Sequence, residues 1–99
     1  MVSVRKLVLD ILKPHHPNAL EFARTIAAVG SDYRVCLVVL EVDENTETLQ
    51  LTLEGQAIDF DAVQSTINNL GGSLHSIDEV NVQSEPDQNE LNKGDTDSH

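Results

Sequence analysis

The sequence predicts an α+β fold with the element order β-α-β-β-α-β, from four strand-like segments, two capped helical segments and their order along one short chain. The first strand is read from Leu7, Leu9 and Ile11, which alternate with Val8, Asp10 and Leu12 at the period of two that sends successive side chains to opposite faces. It runs into a turn, Lys13 to Pro17, that holds two prolines and two histidines. Asn18 with Glu21 three positions later reads as a capping box, and Pro17 brings the chain in extended. The helix that follows sets Ala19, Phe22, Ala23, Ile26 and Ala27 on one face, and Gly30 is expected to close it as a left-handed cap.

Tyr33 to Val42 reads as the second strand and is apolar on both faces, with Val35, Leu37 and Val39 on one and Cys36, Val38, Leu40 and Val42 on the other. Asp43, Glu44 and Asn45 are turn residues, after which Leu49, Leu51 and Leu53 alternate with Thr48, Gln50, Thr52 and Glu54, so strands two and three form a hairpin. Gly55 leads to the second helix, with Asp59 as N-cap, Asp61 favourable to the helix dipole, and Ile58 stapled onto Val63. Its stripe is Phe60, Val63, Ile67 and Leu70, and Gly71 with Gly72 stops it. Leu74 to Val82 is the last strand; Leu74, Ile77 and Val80 are not spaced by two, so a bulge near Asp78 and Glu79 is required. From Gln83 the composition turns to QSEPDQNELNKGDTDSH, read as a disordered acidic tail, which divides the chain into a domain over 1–82 and a tail over 83–99.

Right-handed crossovers place the four strands antiparallel in the order 4-1-3-2 with both helices on one face, the ferredoxin-like arrangement, and the first strand is central.

Seventeen acidic residues against six basic ones give a formal charge of −11, which repels phosphate backbones and argues against a nucleic-acid partner. The lone Cys36 sits in the apolar run YRVCLVVL, so a disulfide framework is excluded and a buried small hydrophobe is expected. No apolar run has the length of a membrane span and no signal-peptide pattern opens the chain, so a cytoplasmic protein without a membrane partner is expected. Three aromatic residues leave the core to aliphatic packing.

With helices on one face only, Val8, Leu12, Cys36, Val38, Leu40 and Val42 point the other way and form an apolar patch. Burial of that face or its edges by another copy of the chain, in a symmetric homo-oligomer, is the expectation, against a monomer whose tail lies over the patch. Asp78 and Glu79 are assigned to the same interface set, because they face Arg5 or Lys6 on the neighbouring strand as a cross-strand ion pair.

Three stretches, VLDILKPHHP, the DFDAV entry to the second helix, and NLGGSLHSIDEV, occur in an order that resembles a small, mainly archaeal, uncharacterised family known as domain of unknown function 211. The resemblance runs from about Val4 to Val82 and implies a ferredoxin-like fold and ring-like homo-oligomers; it supplies no established activity and no catalytic residues. His16 departs from it, standing where the family varies and often carries an acid.

Antiparallel geometry brings the end of the first strand beside the start of the last and near the hairpin turn, so Asp10, His15, His16, Glu41, Asp43, Glu44 and His75 are expected at one edge of the sheet. The candidate metal set drawn from these is Asp10, His15, His75, Asp43 and Glu44. Carboxylate oxygens suit calcium or magnesium and imidazoles suit zinc, although a motif such as H-x-x-x-H is absent and a solvated acidic rim is the plainer reading. No nucleophile elbow and no phosphate loop occurs, and no triad stands out, so an enzyme is not expected. Outward positions on the central strands hold Val8, Asp10, Gln50 and Thr52 in place of aromatic stacking platforms, and the first loop lacks a Cys pair, which rejects an RNA-recognition module and a copper chaperone. A sensor that binds a small ligand between subunits stays open by fold analogy.

Overall fold

The computed structural model describes residues 1–84 and Pro86. Six elements follow in the predicted order: β1 (Val2–Pro14), α1 (Ala19–Ala27), β2 (Arg34–Val42), β3 (Thr46–Glu54), α2 (Phe60–Asn69) and β4 (Ser73–Ser84). They build one antiparallel sheet in the order β2-β3-β1-β4, which is the predicted order read from the other side. β4 continues two residues past Val82, with Ser84 opposite Val2, and the remainder of the predicted tail, Pro86 apart, lies outside the described residues.

The core forms where the odd-numbered residues of β1 and β3 meet the helices. Leu9, Ile11, Leu49, Leu51 and Leu53 are fully buried together with Phe22 and Ile26 of α1 and Val63 and Ile67 of α2. Register explains the match, because Leu7 lies opposite Leu53, Leu9 opposite Leu51 and Ile11 opposite Leu49. A one-residue slip of either strand would turn its three outward.

Both helices start as the sequence predicts. Asn18 accepts from the Glu21 backbone N–H at 2.9 Å, but the Glu21 carboxylate turns to Arg24 (3.0 Å), so the capping box is formed on one side only. Asp59 caps α2 by accepting from the Ala62 N–H at 3.1 Å. Gly71, at φ +85°, and Gly72 end α2: the Gly72 N–H reaches Ile67 O and the Gly71 N–H reaches Asn68 O, the paired bonds of a Schellman motif. Gly30 does not act in that way. α1 ends earlier on Ala28 in right-handed geometry, and the reason for a glycine at 30 is the Tyr33 ring, which occupies the space a Cβ would need.

Bulges set the edges. β4 pairs Leu9 with Ile77 and Val8 with Glu79, leaving Asp78 as the extra residue where one was expected; a second extra residue, His75, lies between the Asp10–Ser76 and Ile11–Leu74 pairs. These two bulges bring Leu74, Ile77 and Val80 opposite Ile11, Leu9 and Leu7, so an apolar spacing of three shares the core-facing side of β1. On β2, Leu40 is the extra residue between the Val39–Leu49 and Glu41–Thr48 pairs, which moves Val42 opposite Glu47 and off the outer face predicted for it.

The outer face is therefore less uniformly apolar than its alternation suggests. Val8 is already buried at 8% exposure, flanked by Thr52 and Glu79, and Leu12 is half-buried. Cys36, expected to be buried, is exposed, because β2 is an edge strand with no helix layer over its outer side. Among the described residues no helix is long and apolar enough to cross a membrane.

Candidate functional site

β1 ends at Pro14 opposite Thr46, the first residue of β3, so the Pro-bracketed turn and the hairpin turn meet at one end of the sheet, as antiparallel geometry requires. Lys13 continues the inward series Leu7, Leu9, Ile11, and its side chain is fully buried. A lysine is tolerated there only if its charge is paired and its donors are used. Its Nζ donates to Pro14 O and Pro17 O, both at 2.7 Å, and lies 3.2 Å from Glu47 Oε1. Three protons thus have three acceptors, and the Phe22 ring centroid lies 6.0 Å away. The lysine ties together a turn that contains a cis His16–Pro17 peptide.

Glu47 stands opposite Lys13 in the β1–β3 register and is the hub of the site. Its second oxygen, Oε2, is 3.1 Å from His15 Nδ1, while His15 Nε2 is 3.1 Å from Asp43 O and 3.0 Å from Glu44 O. The hydrogen bond to Glu47, followed by those to the Glu44 and Asp43 carbonyls, holds the His15 pKa above its ordinary 6.5 against some desolvation. The same bond to His15, with help from Lys13, holds the Glu47 carboxyl below its ordinary 4.5.

Of the predicted metal set, the structure brings His15, Asp43 and Glu44 together, but the last two contribute backbone carbonyls and not carboxylates. Asp10 lies opposite Gln50 and Ser76, away from the Lys13 side of β1, and His75 is the exposed extra residue of a bulge. His16 is exposed, and Glu41 is exposed opposite Thr48. Among the described residues no three His, Cys, Asp or Glu side chains converge as a group that could hold a metal ion. The physical reason is parity: Asp10 belongs to the opposite alternation of β1 from Lys13, and the cation at the hairpin end is supplied by Lys13 itself.

Lys13 and Glu47 are the residues sequence reasoning passed over. Their signal was the alternation itself, since Lys13 falls in the series 7-9-11-13 and Glu47 in the series 47-49-51-53, where a charged residue calls for a partner.

The residues assigned to an interface divide by position. Glu79 pairs with Lys6 within the chain at 3.1 Å, and Asp78 accepts a hydrogen bond from Ser76 at 2.7 Å. Val38 and Leu40, at 46% and 59% exposure, lie with Cys36 on the β2 edge, whereas Val8 and Leu12 lie on the central strand, the first buried and the second half-buried.

The model of a family described as uncharacterised ArCR, domain of unknown function 211, matches residues 5–86. The chain belongs to this family. Another protein similar to this DUF211 chain is the uncharacterised protein MJ0319 of Methanocaldococcus jannaschii, 44% identical over 80 residues that span 81% of this chain and 82% of the relative. The stretch matched to the DUF211 model contains both helices, β2, β3 and β4, and includes Lys13, His15 and Glu47.

Proposed function

We propose that this DUF211 chain is a non-enzymatic, homo-oligomeric assembly module whose two sheet edges join neighbouring copies. The observation that carries this reading is the placement of exposed apolar side chains on both edge strands: Val38, Leu40 and Val42 on β2, and Ile77, Val80 and Val82 on β4, each between 45% and 64% exposed. An unpaired edge that is also apolar is a template for another strand, and two different edges joined head to tail close into a ring when the rotation allows it. The absence of an enzymatic role is supported by the hairpin-end cluster, where Lys13 and His15 are fully engaged by acceptors within the chain.

A sensor is the second reading. A cleft of about 490 Å³ at the opposite end of the sheet is lined by Arg5, Asp32, Arg34, Glu54 and Gln56, a mixture of charges suited to a small polar ligand.

Light scattering at micromolar concentration is expected to give a multiple of the chain mass, and a charge placed at either edge, Val38→Lys or Val80→Lys, to return it to the monomer. A monomer mass for the unaltered protein removes the reading, and a multimer that survives both substitutions removes the edges from it.

A further inference from the structure

His15 carries an inference that goes beyond assembly. Among the described residues its ring nitrogens meet acceptors: the Glu47 carboxylate at Nδ1 and the carbonyls of Asp43 and Glu44 at Nε2. A neutral imidazole has one donor and one acceptor nitrogen, so it would set a lone pair against either the carboxylate or the carbonyl pair. Only the imidazolium satisfies all three contacts. We propose that His15 is a pH-operated latch that, as the imidazolium, pins the β2–β3 hairpin turn to the end of β1 and, on losing its proton, lets that turn go.

The latch spans separate elements. His15 follows β1, Glu47 belongs to β3, and Asp43 and Glu44 form the turn between β2 and β3, where one backbone bond, Asp43 N–H to Thr46 O at 2.8 Å, is independent of the histidine. The charged and titratable groups around the ring are Glu47 from β3, the Asp43 and Glu44 carboxylates from the turn, and Lys13 and His16 from its own segment. Lys13 is the cation among them and opposes a second positive charge, but it shares the Glu47 carboxylate, which it keeps ionised and so available to the imidazolium. The Glu47 carboxylate and the Asp43 and Glu44 carbonyls favour the proton. Because His15 keeps about a third of its side chain accessible (35%), the proton exchanges with solvent without unfolding.

The test is an NMR pH titration of the full chain from about pH 5 to about pH 9, following the His15 ring and the backbone amides of Asp43, Glu44 and Asn45. His15→Gln identifies the His15 signals. The expected result is a His15 midpoint above 6.5, both ring nitrogens protonated below it, and faster amide exchange across the turn with the same midpoint. In His15→Gln the turn step disappears while the β1, β3 and helix signals keep their positions. Glu47→Gln lowers the midpoint of the latch, and each unit of lowering is a tenfold change in the ratio of latched to released ring at fixed pH. A His15 midpoint at or below 6.5, a turn that does not respond at that midpoint, or a step that persists in His15→Gln overturns the proposal, and each is read on the unaltered protein or on a variant at a half-exposed position.

Discussion

Lys13 and Glu47 face each other across the β1–β3 pair, Nζ to Oε1 at 3.2 Å, with the lysine completely buried and the glutamate side chain 18% exposed. This pair closes the core at the hairpin end: the series Leu7, Leu9, Ile11 and its counterpart Leu53, Leu51, Leu49 would otherwise end in apolar residues open to the turn. The unequal burial sets the outcome of substitution. Removing Lys13 leaves a partly exposed carboxylate that keeps His15 and two turn carbonyls that lose their donor, whereas removing Glu47 leaves a completely buried ammonium with Pro14 O and Pro17 O but no counter-charge.

Glu47→Gln is therefore expected to destabilise the protein by about 3 kcal/mol, as is usual when a buried charge loses its partner, and Lys13→Met by less. Urea unfolding of the two single variants and the double variant measures this. The double variant is expected to be more stable than the sum of the single effects, because methionine beside a neutral amide leaves no stranded charge. Strict additivity would show that the two side chains act independently.

Stability should depend on pH through the same cluster, and the signs are set by the two shifts. The raised folded pKa of His15 gives a contribution fully present below pH 6.5 and lost as pH rises through the folded value. The lowered folded pKa of Glu47 gives a contribution fully present above pH 4.5 and lost as pH falls through the folded value. The cluster thus supports the fold most between those two limits. Thermal unfolding midpoints compared between the unaltered protein and His15→Gln are expected to differ most in that window and to converge at alkaline pH; a difference that grows with pH would reverse the assigned sign.

Gly30 and Gly71 should respond differently to alanine. At Gly71 the backbone is left-handed and a Cβ would lie 3.3 Å from Pro14 Cγ, a tight contact that the proline ring must ease, so the cost is at least that of the conformation, about 1–2 kcal/mol. At Gly30 a Cβ would overlap the Tyr33 ring, whose hydroxyl accepts from the Asp59 N–H at 2.7 Å. Gly30→Ala is expected to push the ring away and loosen the start of α2. Tyr33 is the sole tyrosine in a chain without tryptophan, so its fluorescence reads the displacement directly, and an unchanged spectrum would mean the ring is not held where Gly30 requires.

Element order was legible from local signals, the alternation of Leu7, Leu9 and Ile11, the caps at Asn18 and Asp59 and the glycine pair after α2, and strand order followed from it through the handedness of the crossovers. Two-sided features were harder. Cys36 reads as core in its apolar run, and only the position of β2 at the sheet edge makes it exposed. The shift at Leu40 moves Val42, and it depends on pairing with β3 and not on the β2 sequence. At the hairpin end the meeting of segments was foreseeable from topology. That backbone carbonyls of Asp43 and Glu44, with Glu47 between Lys13 and His15, would form the contacts was not, since carbonyl positions carry no residue signature.

The bulges on β4 make the sharpest prediction about how this sequence encodes its register. Asp78 is the extra residue between the Leu9–Ile77 and Val8–Glu79 pairs, so a chain lacking it can keep every one of those pairs, including Glu79 beside Lys6, and loses the Ser76 hydrogen bond and some local twist. Deleting Val80 instead leaves nothing apolar to set opposite Leu7 unless the following residues slip, which turns Asn81 inward or moves the whole C-terminal half of the strand. The deletion of Asp78 is expected to cost about 1 kcal/mol, the scale of one surface hydrogen bond, with amide protection along β1 retained. The deletion of Val80 is expected to cost more and to lose protection at the β4 edge. Hydrogen exchange on the two deletions decides it, and equal damage from both would mean that the bulge itself, and not the apolar residues it aligns, holds β4 in register.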